Sequence, residues 1–309
     1  MPSRPQDVHV DAPLTNFALQ YQNRAFVSEL VFPVIPVVKE SDVYYTFSRE
    51  ELRDVDTRRA VGTPAKEVEW VPSTASYRAE EFALKHLLPD RIIANADSPV
   101  RPRITTTSKL MKWIMLGQEI RVQRIAQNSG NSVATVAASP KWNGTSPTIE
   151  ADIDTAKDSV RLNAGVEPNA ILLAENVKDV VKRDSTLRDL IRYVVTGGPG
   201  NRELLTNGEL PPVLFNLAVI IAGATEDTSK IGATASISRI WLDSVPVFYR
   251  EQTPSLDAVT WGYIMRVQNS IVKAWRDEEK DGEYIQASVI EAEELVTSNA
   301  ANLIVDVLA

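Results

Sequence analysis

From Arg103 to Asn128 the chain reads RITTTSKLMKWIMLGQEIRVQRIAQN, with no proline inside the run. At 100° per residue Met111, Ile114, Met115, Val122, Ile125 and Ala126 fall on one narrow stripe, the spacing of a helix laid against a core. Trp113, Leu116 and Ile120 fall on the opposite side. The hydroxyls of Thr105, Thr106, Thr107 and Ser108 predict capping of the first turn's free amides. A helix over the whole run is roughly 39 Å long at about 1.5 Å per residue. Apolar side chains on two faces require two covers. One is the protein's own sheet; the other is either more of a large core or a neighbouring subunit.

Before the helix, residues 1–16 are polar, hold three prolines and show no period, which predicts an extended arm. Phe17 to Val31 has a short helical pattern, and FPVIPVV (Phe32 to Val38) must run extended around its prolines. Val43, Tyr44, Tyr45 and Phe47 make an aromatic strand, followed by REELRDVDTRR (Arg49 to Arg59), with four basic and four acidic residues. After Gly62 and Pro64 come KEVEWV (Lys66 to Val71) and TASYRAEEFALKHLL (Thr74 to Leu88), in which Tyr77, Ala79, Phe82 and Leu84 alternate with polar partners. This pattern predicts a long two-stranded hairpin with a charged tip. An isolated ribbon buries too little surface to offset the chain entropy it loses. The hairpin therefore packs on its own domain or is held against another molecule.

After the helix, 129–148 is small and polar and reads as loop. Ile149 to Asn163 returns to helical spacing, Asn169 to Ala174 is a short buried strand, Asn176 is placed to cap a helix carrying Val177, Val180 and Val181, and Leu187 to Val195 suggests another. This alternation predicts a compact α/β lobe. PPVLFNLAVIIAGA (Pro211 to Ala224) supplies strand material, 225–236 reads as polar loop, and RIWLDSVPVFYREQ holds two strand-like pieces broken at Asp243 to Pro246. Near the end, Glu278 to Gly282 reads as a turn between strands Ile271 to Trp275 and Tyr284 to Ile290, and Leu303 to Leu308 as a last strand.

Composition narrows the chemistry more than it identifies it. No cysteine is present and the two histidines, His9 and His86, lie far apart, so thiolate sites, zinc and a histidine triad are poorly supplied. The acidic pairs (Glu50 and Glu51, Glu80 and Glu81, Glu278 and Glu279, Glu293 and Glu294) diverge on either a strand or a helix and form no catalytic couple. GGPGNRELLTNG (Gly197 to Gly208) lacks the lysine of a phosphate loop and reads as a mobile loop at the lobe's tip. No cofactor is expected. The formal net charge of −8 disfavours sequence-specific nucleic-acid binding. No apolar run approaches the ~18 residues of a membrane span and the N-terminus has no apolar signal region, so a soluble, unexported protein is expected.

The order of parts resembles the major capsid proteins of tailed bacteriophages, which share the Hong Kong 97-type fold. The resemblance is carried by FVSELVFPVIPVVKESDVYYTF, the return strand SYRAEEFALKHLLPD, the long helix, the α/β lobe and the closing AWRDEEKDGEYIQASVIEAEELVTSNAANLIVDV, nearly the whole chain. It implies an α+β fold with an N-terminal arm (1–40), an extended β-hairpin loop (41–95), a peripheral domain with a spine helix (96–132 and 265–309) and an α/β axial domain (133–264). In that family the extended loop reaches over an adjacent subunit. Candidate intersubunit contacts are then Arg49, Glu50, Arg53, Asp54, Asp56, Arg58, Arg59, Lys66 and Trp70, and candidate axis-loop residues are Gly197, Gly198, Gly200, Asn201 and Arg202. Some members join Lys to Asn between subunits; Lys66 is the lone lysine between Lys39 and Lys85, although hydrophobic and charge contacts would suffice.

The implied function is structural: hexamers and pentamers closing an icosahedral capsid around double-stranded DNA, without enzymatic activity. Expected partners are further copies, a separate scaffolding protein or none (the segment before the hairpin being too short for a built-in one), a portal, a decoration protein, and DNA enclosed without sequence-specific binding; no membrane is involved. The implied location is the virion capsid, assembled in the host cytoplasm. Two other readings stand beside it: an encapsulin-like compartment shell and a monomeric α/β enzyme with an unrecognised acidic site.

Overall fold

The longest ribbon among the described residues is built from the C-terminal part of the chain, and the other described elements are arranged on it. The computed structural model describes residues 9–11, 13–15, 18, 26–46, 54–67, 73–96, 101–188, 210–230, 232–253 and 259–309. In chain order, β1 (His9–Val10), α1 (Ser28–Val31) and β2 (Val34–Pro36) precede the hairpin strands β3 (Ser41–Thr46) and β4 (Ser73–Arg78). Then come β5 (Glu80–Pro89), α2 (Asp90–Ala94) and the long helix α3 (Pro102–Ala126). The lobe contributes β6 (Thr135–Ala137), α4 (Ile149–Ala164), β7 (Ala170–Ala174), α5 (Glu175–Val181), β8 (Val213–Leu214), β9 (Leu217–Ala222), β10 (Thr225–Asp227), β11 (Ile237–Arg239) and β12 (Val245–Phe248). The chain closes with β13 (Gly262–Asp277), β14 (Gly282–Leu295) and β15 (Ala301–Val305).

Strands β13 and β14 pair antiparallel from Gly262 opposite Leu295 to Asp277 opposite Gly282, with bulges between Arg266 and Ile271. The turn falls at 278–281 as expected, but the strands run further from it than their alternation suggested. Two glycines mark close approaches: a Cβ on Gly262 would lie 2.8 Å from Glu294 O and 2.9 Å from the Phe32 ring, and one on Gly282 2.9 Å from Leu88 O. Strand β14 then pairs with the full length of β5, from Gly282 opposite Pro89 to Glu291 opposite Glu80. The sheet order is β1-β13-β14-β5, with β2 parallel alongside β13. The extended reading of FPVIPVV is therefore correct.

The long helix belongs to two cores. Its Leu110, Met111 and Ile114 pack with Leu88, Val272, Ile285, Ala287 and Val289 of the ribbon sheet. Its Val122 and Ala126 join the larger core of the lobe. At about 1.5 Å per residue its 25 residues span roughly 38 Å, enough to couple the two. The hydroxyls do not cap it. Thr105, Thr107 and Ser108 lie within the first turns and donate to the carbonyls of Arg101, Arg103 and Ile104, since the helix starts earlier, with Pro102 at its head.

The lobe is a six-stranded sheet in the order β6-β15-β12-β7-β9-β8, and every residue of β7 is buried. Helix α4 packs Ile153, Ala156 and Val160 into this core. Four readings are corrected. The polar run 129–148 contains β6, recruited by parallel pairing with β15. The run 225–236 begins with β10, which pairs with β11. Asn176 lies inside α5 rather than capping it, with Ala174 at the N-cap. Pro246 lies within β12 rather than in a break, because β12 pairs with β7 only from Val247 onward and no amide is required earlier. The lobe and ribbon meet at an aromatic joint, where Trp261 packs edge-on to Phe32 (5.3 Å between centroids) and against Phe248 (5.0 Å).

Candidate assembly surfaces

The hairpin is anchored at its base and free at its tip. Strands β3 and β4 form a separate two-stranded sheet, Ser41 opposite Arg78 to Thr46 opposite Ser73. At the base, Tyr77 is buried with Ala79, Met265 and Ala292, and its hydroxyl donates to Lys39 O at 2.9 Å. Tyr44 packs beside Tyr77 and donates to Leu295 O at 2.9 Å; burial, with Glu294 nearby, pushes its pKa up to about 12. Ala79 then switches the chain into the ribbon sheet, so the run read from Thr74 to Leu88 as one return strand is two: β4 pairs with β3, and β5 pairs with β14 instead of lengthening the hairpin. Beyond the base, residues 54–67 are all exposed.

Of the predicted contact residues, Arg49, Glu50, Arg53 and Trp70 lie outside the described residues, as do Gly197, Gly198, Gly200, Asn201 and Arg202. Asp54, Asp56, Arg58, Arg59 and Lys66 are on the exposed tip. Asp56 and Lys66 meet at 2.5 Å, and the Lys66 ammonium with the Arg58 amide holds the Asp56 carboxyl below its usual range. Arg59 Nε donates to Thr63 O at 2.6 Å. At the apex, Thr63 N–H donates to Ala60 O, and Gly62 takes φ +84°, the left-handed residue of a type II turn. The tip is thus held in shape by its own polar contacts while its charges of both signs face solvent.

Behind the hairpin lies a buried charged seam that the sequence reading did not single out. Glu119, in α3, is fully buried, and its two carboxylate oxygens accept from the amides of Val27 and Ser28 (2.8 Å for Ser28) and from Trp241 Nε1 (2.6 Å). Burial pushes its pKa up and these donors hold part of the rise back. Arg121 bridges Glu291 (3.0 Å) and Glu293 (2.7 Å) while its guanidinium lies over the Phe82 ring at 3.6 Å. Arg266 bridges Glu291 (2.9 Å) and Glu29 (2.8 Å). Burial raises Glu291, and Arg266 and Arg121 offset only part of that because Glu293 adds like charge. These bonds tie α1, the long helix and both ribbon strands into one frame. The signal was present: Gln118, seven positions after Met111 and so on the apolar stripe, is buried and donates to Glu291 at 3.2 Å.

None of this is catalytic geometry. Among the described residues no group of three or more His, Asp or Glu could hold a metal ion, and no helix is long and apolar enough to cross a membrane.

No family model matches the chain. It is 23% identical over 310 residues to the major capsid protein of Burkholderia phage BcepMu, covering 96% of this chain and 95% of that one. It is also 23% identical over 249 residues to the major capsid protein of Pseudomonas phage JBD67, covering 79% and 78%. In structure it is similar to a phage-related protein from Bordetella bronchiseptica RB50 (TM-score 0.72, 20% identity, 97% of this chain and 98% of that one). It is likewise similar to the capsid structure of cyanophage P-SCSP1u (TM-score 0.61, 10% identity, 92% and 89%). The fold is that of phage major capsid proteins. On this capsid fold, the polar contacts of the described tip all fall within residues 54–67, and the seam is the frame from which it projects.

Proposed function

We infer that the chain is a major capsid protein, the repeating structural subunit of a phage head. The observation that carries this is likeness to capsid proteins over almost the whole chain, in sequence and in fold. In this reading the subunits gather as hexamers and pentamers into an icosahedral shell around double-stranded DNA, and the chain has no enzymatic role. Each contact is weak, and closure is favoured because an open edge leaves contacts unmade. The hairpin from 41 to 78 serves as the extended loop, reaching over a neighbouring copy, while β5 and α2, counted with the loop on the sequence (41–95), go with the ribbon sheet in which β5 pairs. The ribbon and long helix serve as the peripheral domain and the lobe as the axial domain; β15 shares the lobe's sheet and is best counted with it.

Charges of both signs on the tip set register at neighbour contacts, where exposed pairs add little affinity but like-charge mismatch is penalised. Arg49, Glu50, Arg53 and Trp70 extend the same contact, and Gly197 to Arg202 stand near the axis. Negative charge on the shell's inner wall would let packaged DNA slide rather than adhere. Assembly takes place in the host cytoplasm with a separate scaffolding protein, a portal and a decoration protein as partners. Electron microscopy of the full chain, expressed alone and with the scaffolding protein of its own phage, tests the reading. Closed shells of uniform diameter are expected, containing nucleic acid when taken from infected cells. A monomer under every condition contradicts it, and shells holding an enzyme cargo instead of nucleic acid point to a compartment.

A further inference from the structure

The ribbon sheet is occupied on both faces, and the two-residue period of β14 separates them. Ile285, Ala287 and Val289 point to one side, where they pack with Leu110, Met111 and Ile114 of α3, and on that same side Glu291 and Glu293 meet Arg121. Ile290 and Ala292 point to the other side, where they pack with Tyr44, Tyr77 and Ala79 of the hairpin base. The long helix and the hairpin base therefore stand on opposite faces of one sheet.

The side of α3 turned away from that sheet is basic. The helix holds five basic residues and one acidic residue, Glu119, which is fully buried. Arg121 belongs to the seam and Arg103 pairs with Glu283 at 2.7 Å. Lys109, Lys112 and Arg124, with Arg101 at the N-cap, are exposed and have no ion-pair partner among the described residues. At 100° and about 1.5 Å per residue, these four fall within an arc of about 140° and extend over roughly 35 Å. Trp113, 56% exposed, lies in the same arc and carries an indole N–H donor. The cations inside α4 and α5 are different, since Lys157, Arg161 and Lys178 each meet a carboxylate one turn away on their own helix. Glu226 and Asp227 stand across a cleft of about 500 Å³ from Lys109 and Lys112 and mark the lobe-side edge of the basic track. Asp227 is already engaged there by the amides of Ser229 and Ser236, both at 2.9 Å.

We propose that this face of α3 lines the interior of the shell and contacts the phosphate backbone of the packaged duplex, with Arg101, Lys109, Lys112 and Arg124 as the cations and Trp113 as a neutral donor. This rests on the shell reading and adds to it which side of the subunit meets DNA. Duplex DNA carries one negative charge per ~1.7 Å of its axis, so a row of unpaired cations gains by displacing counterions, whatever the base sequence. With the ribbon sheet lying in the wall, the hairpin base is on the outer side, out of reach of the duplex. Four separated, exposed cations in a chain of net charge −8 make a weak, salt-screened contact that does not fix the duplex in place.

Lysine acetylation of wild-type particles tests this without altering the chain. DNA-filled particles from infected cells, and the same particles after release and nuclease digestion of their DNA, are treated with a small acetylating reagent and each lysine's modification is read by mass spectrometry. Lys85 is the internal control, exposed on the hairpin side of the sheet opposite Gln286. Lys109 and Lys112 are expected to react severalfold more slowly in filled than in emptied particles, with Lys85 unchanged. Equal reactivity of Lys109 and Lys112 in the two preparations, or protection of Lys85 in their place, overturns the proposal. Protection of Lys109 and Lys112 in both preparations also overturns it, since a protein and not DNA would then cover the helix. As a second readout, Lys109→Gln with Lys112→Gln should still give shells of normal diameter, in which the density bridges between α3 and the outermost DNA layer are lost from an electron cryo-microscopy map; a wild-type map without such bridges contradicts the proposal. Chain that stays monomeric under every condition, or shells that hold no nucleic acid, instead defeats the reading on which the proposal rests.

Discussion

Glu119 shows why an acidic residue is tolerated at the centre of this protein. Its two oxygens face only donors, so the carboxylate satisfies three N–H groups that would otherwise be buried without partners. Glu119→Gln replaces one acceptor with a donor and sets it against another donor; a loss of about 2 kcal/mol is expected from a buried group left unmade. Urea unfolding of the folded subunit at neutral pH measures it, and an unchanged midpoint would show that the seam is structurally idle. Arg121→Ala removes the shared cation from Glu291 and Glu293, and a loss of about 3 kcal/mol is expected for uncompensated buried charge.

The pH dependence of that second variant has a definite sign. Glu291 is already raised above the ordinary carboxylate range, so above that range the folded state binds more protons than the unfolded chain. Stability associated with such a group falls as pH rises through its raised value. Without Arg121 the rise is larger, so the deficit of Arg121→Ala relative to wild type should be greater at pH 8 than at pH 5. Unfolding curves at the two pH values check this. An equal deficit, or a larger one at pH 5, contradicts it.

At the scale of elements, the hairpin is a separate unit with a fastened base. Tyr44 and Tyr77 tie it to the ribbon, while residues 54–67 are exposed. Deleting Asp54 to Pro64 should leave the circular dichroism and thermal midpoint of the monomer almost unchanged and abolish shells; normal shells from the deletion would remove the hairpin from the mechanism. The long helix, the hairpin and the closing ribbon were legible in the sequence because each carries its own period, at 3.6 or 2 residues, over enough chain to be seen. Strands β6, β10 and β11 were not, since each is three residues long and exists by pairing with something distant or across a loop. The same limit applies to the candidate site. The charge of the tip was evident from Arg49 to Arg59, whereas the role of Gly62 depends on its φ and the exposure of Trp113 on what the lobe leaves uncovered. The tryptophan was placed correctly, opposite the stripe of Met111, but periodicity alone does not say whether that side meets a core, a neighbour or water.

At the scale of the whole molecule, one rigid frame carries one projecting arm. The seam and the aromatic joint bind ribbon, helix and lobe together, so force applied at the lobe passes along α3 to the ribbon. The described part of the arm's tip, residues 54–67, is organised by its own turn and ion pair and is exposed throughout, as the proposed contact surface requires. On the proposed reading, a shell built from such units is held together by many copies of that contact. The most direct measurement is a density map of the assembled particle by electron cryo-microscopy, at a resolution that traces residues 54–67. The account predicts that this stretch lies against an adjacent copy in every hexamer and pentamer. Finding it folded onto its own subunit, with no neighbouring chain in contact, contradicts the account.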